Sequence, residues 1–162
     1  MPYTRPLATL AAALLAVGLG GAPAAASPPD DGPLPGYTIT LPELAPLPGA
    51  RVVTGVHEHA GYAIEVPEDW NGELVMWAHG FRGNGAELTV DAPPYGLRER
   101  FVAQGYAWAA SSYDRNGYDV ASGVESTREL AREFRHVVDT PSRTYLAGVS
   151  MGGHVAARSI EE

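Results

Sequence analysis

The sequence predicts an α/β fold: a mainly parallel sheet with an antiparallel hairpin at its N-terminal edge. Three observations carry this. Strand-like apolar runs alternate with helical segments from about residue 60 onward, and such alternation implies crossover connections within a largely parallel sheet. The run Glu73-Leu74-Val75-Met76-Trp77-Ala78 is almost continuously apolar, as in a strand buried on both faces. Finally, Arg143-Thr144-Tyr145-Leu146-Ala147 leads directly into Gly148-Val149-Ser150-Met151-Gly152, after which Val155 follows Met151 and Ile160 follows Ala156 at four-residue spacing. That is a strand entering a helix through a tight turn.

In chain order, residues 1–26 read as a secretory signal. Arg5 supplies the positive start, Leu7 to Leu19 the apolar run, and Ala24-Ala25-Ala26 the small-residue cleavage site. The run is short for a bilayer span, and a retained anchor is the alternative. The absence of cysteine excludes a lipoprotein-type anchor, and no twin arginine is present, so the general export route is expected. Residues 27–50, rich in Pro, Gly and Asp, read as a leader that buries no core, with Thr38-Ile39-Thr40-Leu41 as a candidate edge strand. The folded domain is expected over residues 51–162.

Within that domain, Tyr62–Pro67 alternates in strand fashion, and Asp69-Trp70-Asn71-Gly72 reads as a turn. Asn-Gly is a strong hairpin signal, so these residues predict a hairpin joining Tyr62–Pro67 to Glu73–Ala78. A Gly-rich loop, His79-Gly80-Phe81-Arg82-Gly83-Asn84-Gly85, follows. Leu97, Phe101 and Val102 give a helix over 97–104 closed by Gly105. Tyr106–Ser111 is a further strand. Val124, Ala131, Phe134 and Val138 predict an amphipathic helix over about 123–138, with Ser122 and Glu125 as its capping box and Glu129 and Arg132 paired on its wet face. Thr140-Pro141-Ser142 breaks the chain before the last strand.

Charge and composition narrow the function. The formal net charge is −8, or −9 once the signal with Arg5 is removed, since 10 arginines then face 19 acidic residues. An acidic chain argues against nucleic acid and anionic membrane surfaces as partners. There is no lysine and no cysteine. Without disulfides, burial alone must hold an exported domain together.

Gly148-Val149-Ser150-Met151-Gly152 fits the pattern G-x-S-x-G. At a strand-to-helix turn this pattern lifts a serine hydroxyl out of the sheet as a nucleophile. Gly148 and Gly152 are expected because larger side chains there would collide with the neighbouring strand and helix. The plainer alternative is a Gly-rich turn with no chemistry. Together with the His79-Gly80-Phe81 loop after an apolar strand, and in this order of elements, the motif resembles the N-terminal half of a secreted α/β-hydrolase, over about residues 55–162. The resemblance implies an α/β-hydrolase-like fold and a serine hydrolase of the esterase, lipase or peptidase kind. Ser150 would be the nucleophile forming an acyl-enzyme, with the backbone N–H groups of Met151 and Phe81 as the oxyanion hole and His79 and Gly80 as loop support. It implies a small-molecule or polymeric ester as substrate, no cofactor and no stable membrane insertion. Peptide cleavage is the alternative, since both reactions pass through the same kind of oxyanion.

In that family the acid and then the histidine follow the serine in chain order. Twelve residues follow Ser150; the only acids among them are Glu161 and Glu162, and the only histidine is His154. His154 sits on the helix leaving the turn, where a packing or solvent role is expected. The triad acid and histidine are therefore expected beyond residue 162, the sheet is expected to be truncated after the elbow helix, and an inactive fragment or a non-catalytic domain is the third alternative. His57 and His59 would share a face if both lie on a strand, but no further metal ligands can be placed beside them, and no metal is expected. Asp114 is an acid on an earlier strand end with no base in view. Arg82, Asn84 and Tyr113 lie on loops after predicted strands, where ligands bind in open α/β sheets.

Overall fold

The computed structural model describes residues 32–161; the expected signal at 1–26 and the start of the leader lie outside them. Ten elements follow in order: β1 (Thr38–Thr40), β2 (Ala50–His57), β3 (Ala60–Pro67), β4 (Glu73–Ala78), β5 (Glu87–Thr89), α1 (Leu97–Ala103), β6 (Ala107–Ser111), α2 (Val120–Val137), β7 (Arg143–Gly148) and α3 (Met151–Glu161). Five strands form one sheet in the order β2-β3-β6-β4-β7. β4 is parallel to both β6 and β7, whereas β3 is antiparallel to both β2 and β6.

The alternation of side chains along the strands builds two cores. Tyr62, Ile64 and Val66 of β3 lie with Leu74 and Met76 of β4 on the face that Leu130 and Phe134 of α2 cover. Ala63, Val75, Trp77, Trp108 and Ala110 point the other way, where Val102 and Phe101 of α1 meet them. A third cluster of Ala78, Tyr113, Val124, Met151 and Val155 sits where the loops leave the sheet.

The hairpin is not where the Asn-Gly signal put it. β3 and β4 do not pair; β6 lies between them. Asn71 N–H instead donates to Gly105 (2.9 Å), and Ser142 N–H donates to Gly72 (2.7 Å). With neighbouring strands about 4.8 Å apart, residues 68–72 step across the end of β6. β6 is buried along its whole length, and a strand that hydrophobic displaces a local pairing. The actual hairpin is β2–β3, in register from Ala50↔Pro67 to His57↔Ala60. Its turn residues Glu58 and His59 have φ of 46° and 67°, the doubly left-handed turn that usually selects Asn-Gly. Glu-His carries no such signal.

Residues 38–47, expected as leader, contribute to the domain. β1 pairs in parallel with β5, and Leu44 and Leu47 pack on the α1-side core. A buried carboxylate holds them there. Glu65, at 0% exposure, accepts from Leu47 N (2.8 Å), Trp108 Nε1 (2.9 Å) and Arg98 (2.7 and 2.8 Å), and Arg98 also donates to Ala45 O (2.6 Å). Burial pushes the Glu65 carboxyl up, but bonds from Arg98, Leu47 and Trp108 outweigh this and hold it below the ordinary value.

The expected capping box is also displaced. α2 starts at Val120, and its N-cap is Asp119, whose carboxylate accepts from Ser122 N (3.0 Å). The Ser122 hydroxyl donates instead to Asp114.

Candidate active site

From β4 the chain crosses to β6 on one side and then to β7 on the other. The segments leaving β4 and β7 therefore part to opposite faces, α1 to one and α3 to the other. A crevice opens between the carboxyl ends of two such strands, where open α/β sheets bind ligands. His79-Gly80-Phe81-Arg82 and Val149-Ser150 lie there. The cleft between them has a volume of about 650 Å³, with exposed Phe81, Tyr95 and Val149 on its walls.

Ser150 is exposed and has φ of 56°. A non-glycine residue there is strained, and such strain persists only where the surroundings over-determine it. The two glycines are what permit it. A Cβ on Gly148 would stand 2.9 Å from the Ala78 carbonyl oxygen and 2.5 Å from the Gly152 carbonyl carbon. A Cβ on Gly152 would stand 2.7 Å from the His79 carbonyl oxygen. These are backbone atoms of a sheet and a helix and do not yield. Gly80 is close as well, since a Cβ there would meet Ser150 Cβ and Val149 O at 3.2 Å each. Met151 N–H opens α3, so it has no carbonyl four residues earlier in the helix to satisfy it. The positive end of the helix dipole lies at the same point.

His79 is buried, its ring stacked 3.9 Å from that of Tyr113. Nδ1 lies 2.7 Å from Gly80 O and Nε2 3.1 Å from Ser112 O. A neutral imidazole has one N–H, so it donates to one of these carbonyls at a time. Burial, with Arg82 adding to it, pushes the His79 pKa down, which keeps the ring neutral. Arg82 donates to the Thr89 carbonyl, the Thr89 hydroxyl (2.9 Å) and the Asp91 carboxylate, so it pins the loop rather than offering a free cation.

The remaining sequence candidates lie elsewhere. Asp114 accepts from Ser122 and from Arg115 (3.0 and 3.2 Å). Burial raises its pKa, but the bonds from Arg115 and Ser122 prevail and hold it low. His154 is exposed on α3, and Glu161 pairs with Arg158. Among the described residues, no imidazole or carboxylate bonds the Ser150 hydroxyl. His57 and His59 do not share a face, because His59 is in the turn. Its Nδ1 is 2.7 Å from Gly32 O, while His57 faces Glu133 at 3.6 Å across a separate cleft. Among the described residues, no group of three or more His, Cys, Asp or Glu is disposed to hold a metal ion. Nothing local in the sequence marks the loop residue Tyr113 as a partner of His79.

This architecture is an α/β-hydrolase fold. Solved structures share it: a hormone-sensitive lipase from a metagenome library (13% identity, TM-score 0.50, over 74% of this chain), and EstE5 soaked in ethyl alcohol (14% identity, TM-score 0.50, over 72%). The chain covers 40% of the length of each of these two structures. No protein-family model and no curated protein sequence matches the chain. At these identities the likeness speaks for the fold alone.

Proposed function

We propose that this chain carries the nucleophile half of an exported serine hydrolase acting on carboxylic esters. One observation supports it above the others: Ser150 is held exposed in a left-handed conformation between two glycines that admit no side chain. In this reading the Ser150 oxygen attacks the ester carbonyl carbon and its proton passes to an imidazole. The carbonyl oxygen becomes an oxyanion that accepts from Met151 N–H and Phe81 N–H. Collapse expels the alcohol, which takes the proton back, and leaves an acyl-enzyme that water then hydrolyses. Each oxyanion donor contributes on the order of 3 kcal/mol of transition-state stabilisation. The imidazole and its acid must reach Ser150 from outside the described residues.

The test uses the polypeptide carrying this sequence with whatever chain accompanies it in the cell. A fluorophosphonate should label it covalently on Ser150, and Ser150→Ala should abolish labelling. Equal labelling of the two proteins, or none of either, would refute the nucleophile. A panel of p-nitrophenyl esters and peptide anilides separates ester from amide cleavage. Export predicts a secreted form beginning at Ser27, which N-terminal sequencing reads directly.

A further inference from the structure

Tyr113, like Ser150 and Tyr95, is a non-glycine residue held in a left-handed conformation beside this crevice, with φ of 61°, and unlike those two it is buried, at 1% exposure. Its backbone is clamped from several directions. Tyr113 N–H donates to Ser111 Oγ (3.0 Å), the Ser112 hydroxyl donates to Tyr113 O (2.8 Å), and Asp114 N–H donates to Ser126 Oγ (3.2 Å). Such a conformation persists only where the surroundings enforce it. The constraint is visible in what the side chain reaches. Its hydroxyl donates to the His79 carbonyl oxygen (3.1 Å), and its ring stacks on the His79 imidazole. The same ring belongs to the small cluster that contains Met151 and Val155 of α3. Gly123 of α2 leaves room for both, since a Cβ there would stand 2.6 Å from Val155 and 3.3 Å from the Tyr113 ring.

We propose that Tyr113 is a positioning residue that sets the separation of the two backbone N–H groups aimed at the oxyanion. It does so by holding the β4 loop through the His79 carbonyl while packing in one cluster with the first residue of α3. The inference rests on the reading of Ser150 as nucleophile. Three further bonds show that the segment after β6 is the bed on which the β4 loop lies: Gly117 N–H donates to Gly83 O (2.9 Å), and Asn116 Nδ2 donates to Gly85 O (2.7 Å) and Glu87 O (2.8 Å). Those bonds place the outer part of the loop. Tyr113 alone among them touches the His79–Gly80 peptide, which adjoins the one that carries Phe81 N–H. Burial pushes the phenol pKa well up, so the hydroxyl remains a donor throughout the working pH range.

Tyr113→Phe keeps the ring and removes only the hydroxyl bond, so it tests this directly. Ester turnover should fall about tenfold in kcat with KM within about twofold, because a displaced donor weakens the transition state and leaves substrate binding alone. Amide hydrogen exchange at Gly80 and Phe81 should accelerate about tenfold while β3 amides keep their rates. Unchanged kcat together with unchanged exchange at Gly80 and Phe81 overturns the proposal, as does a general rise in exchange across the sheet, which marks an ordinary packing residue. If the parent protein neither turns over esters nor labels at Ser150, the hydrolase reading is what fails. Selective exchange at Gly80 and Phe81 then decides separately whether Tyr113 holds the loop.

Discussion

Replacing Glu65 by glutamine probes what joins the segment before β2 to the domain. The carboxylate receives four hydrogen bonds, two on each oxygen: Leu47 N and Arg98 Nη2 on one, Arg98 Nε and Trp108 Nε1 on the other. A glutamine has one acceptor oxygen, so whichever way the amide turns, two donors meet an N–H. Each such loss at a charged, buried site amounts to about 1.5–3 kcal/mol, and breaking one side of a buried ion pair to about 3–5 kcal/mol. The Arg98 side chain is 14% exposed and can relieve part of this by turning to water. We therefore expect a loss of about 3–4 kcal/mol, a large share of the 5–15 kcal/mol typical of a domain. Urea unfolding followed by circular dichroism at pH 7 measures it, with the slope m unchanged. A loss below about 1 kcal/mol would refute the argument that this network holds residues 45–47. The pH dependence has a definite sign. Because the folded carboxyl titrates below its ordinary value of 4.5, its contribution is complete above that pH and is lost as pH falls through the folded value. Glu65→Gln should flatten that acid limb.

The other predictions concern the site and the long helix. Gly80→Ala adds a Cβ 3.2 Å from both Ser150 Cβ and Val149 O, so fluorophosphonate labelling should slow by about tenfold while the melting temperature moves by only about 2 °C; unchanged labelling would show that the β4 loop gives way freely. Asp119→Ala removes the acceptor for Ser122 N and should lower stability by about 1 kcal/mol in the same urea assay, whereas Ser122→Ala should leave the N-cap bond intact.

Strands and helices were legible in the sequence because their signals are local. The continuous apolar run of Glu73–Ala78 is a strand buried along almost its whole length, and the spacing of Val124, Ala131 and Phe134 is that of the core-facing side of α2. The left-handed turn at Ser150 was foreseeable from glycine at 148 and 152. The hairpin signal misleads for an equally local reason: Asn71-Gly72 favours reversal, yet β6 enters between the strands it separates. The candidate strand at Thr38–Leu41 forms as β1, but the packing of Leu44 and Leu47 was hidden because Pro42 and Pro46 break any periodic pattern around them.

The residues themselves determined which stretches extend, which coil, and where a serine can be forced into a strained turn, since periodicity and the size of a neighbouring side chain act within a few positions. Which strands become neighbours, that Glu65 and Arg98 meet across 33 positions, and that Tyr113 reaches under the loop of His79 were decided by the folded chain alone. Those contacts join segments tens of residues apart, and their energy exists only once burial has brought the segments together and excluded water.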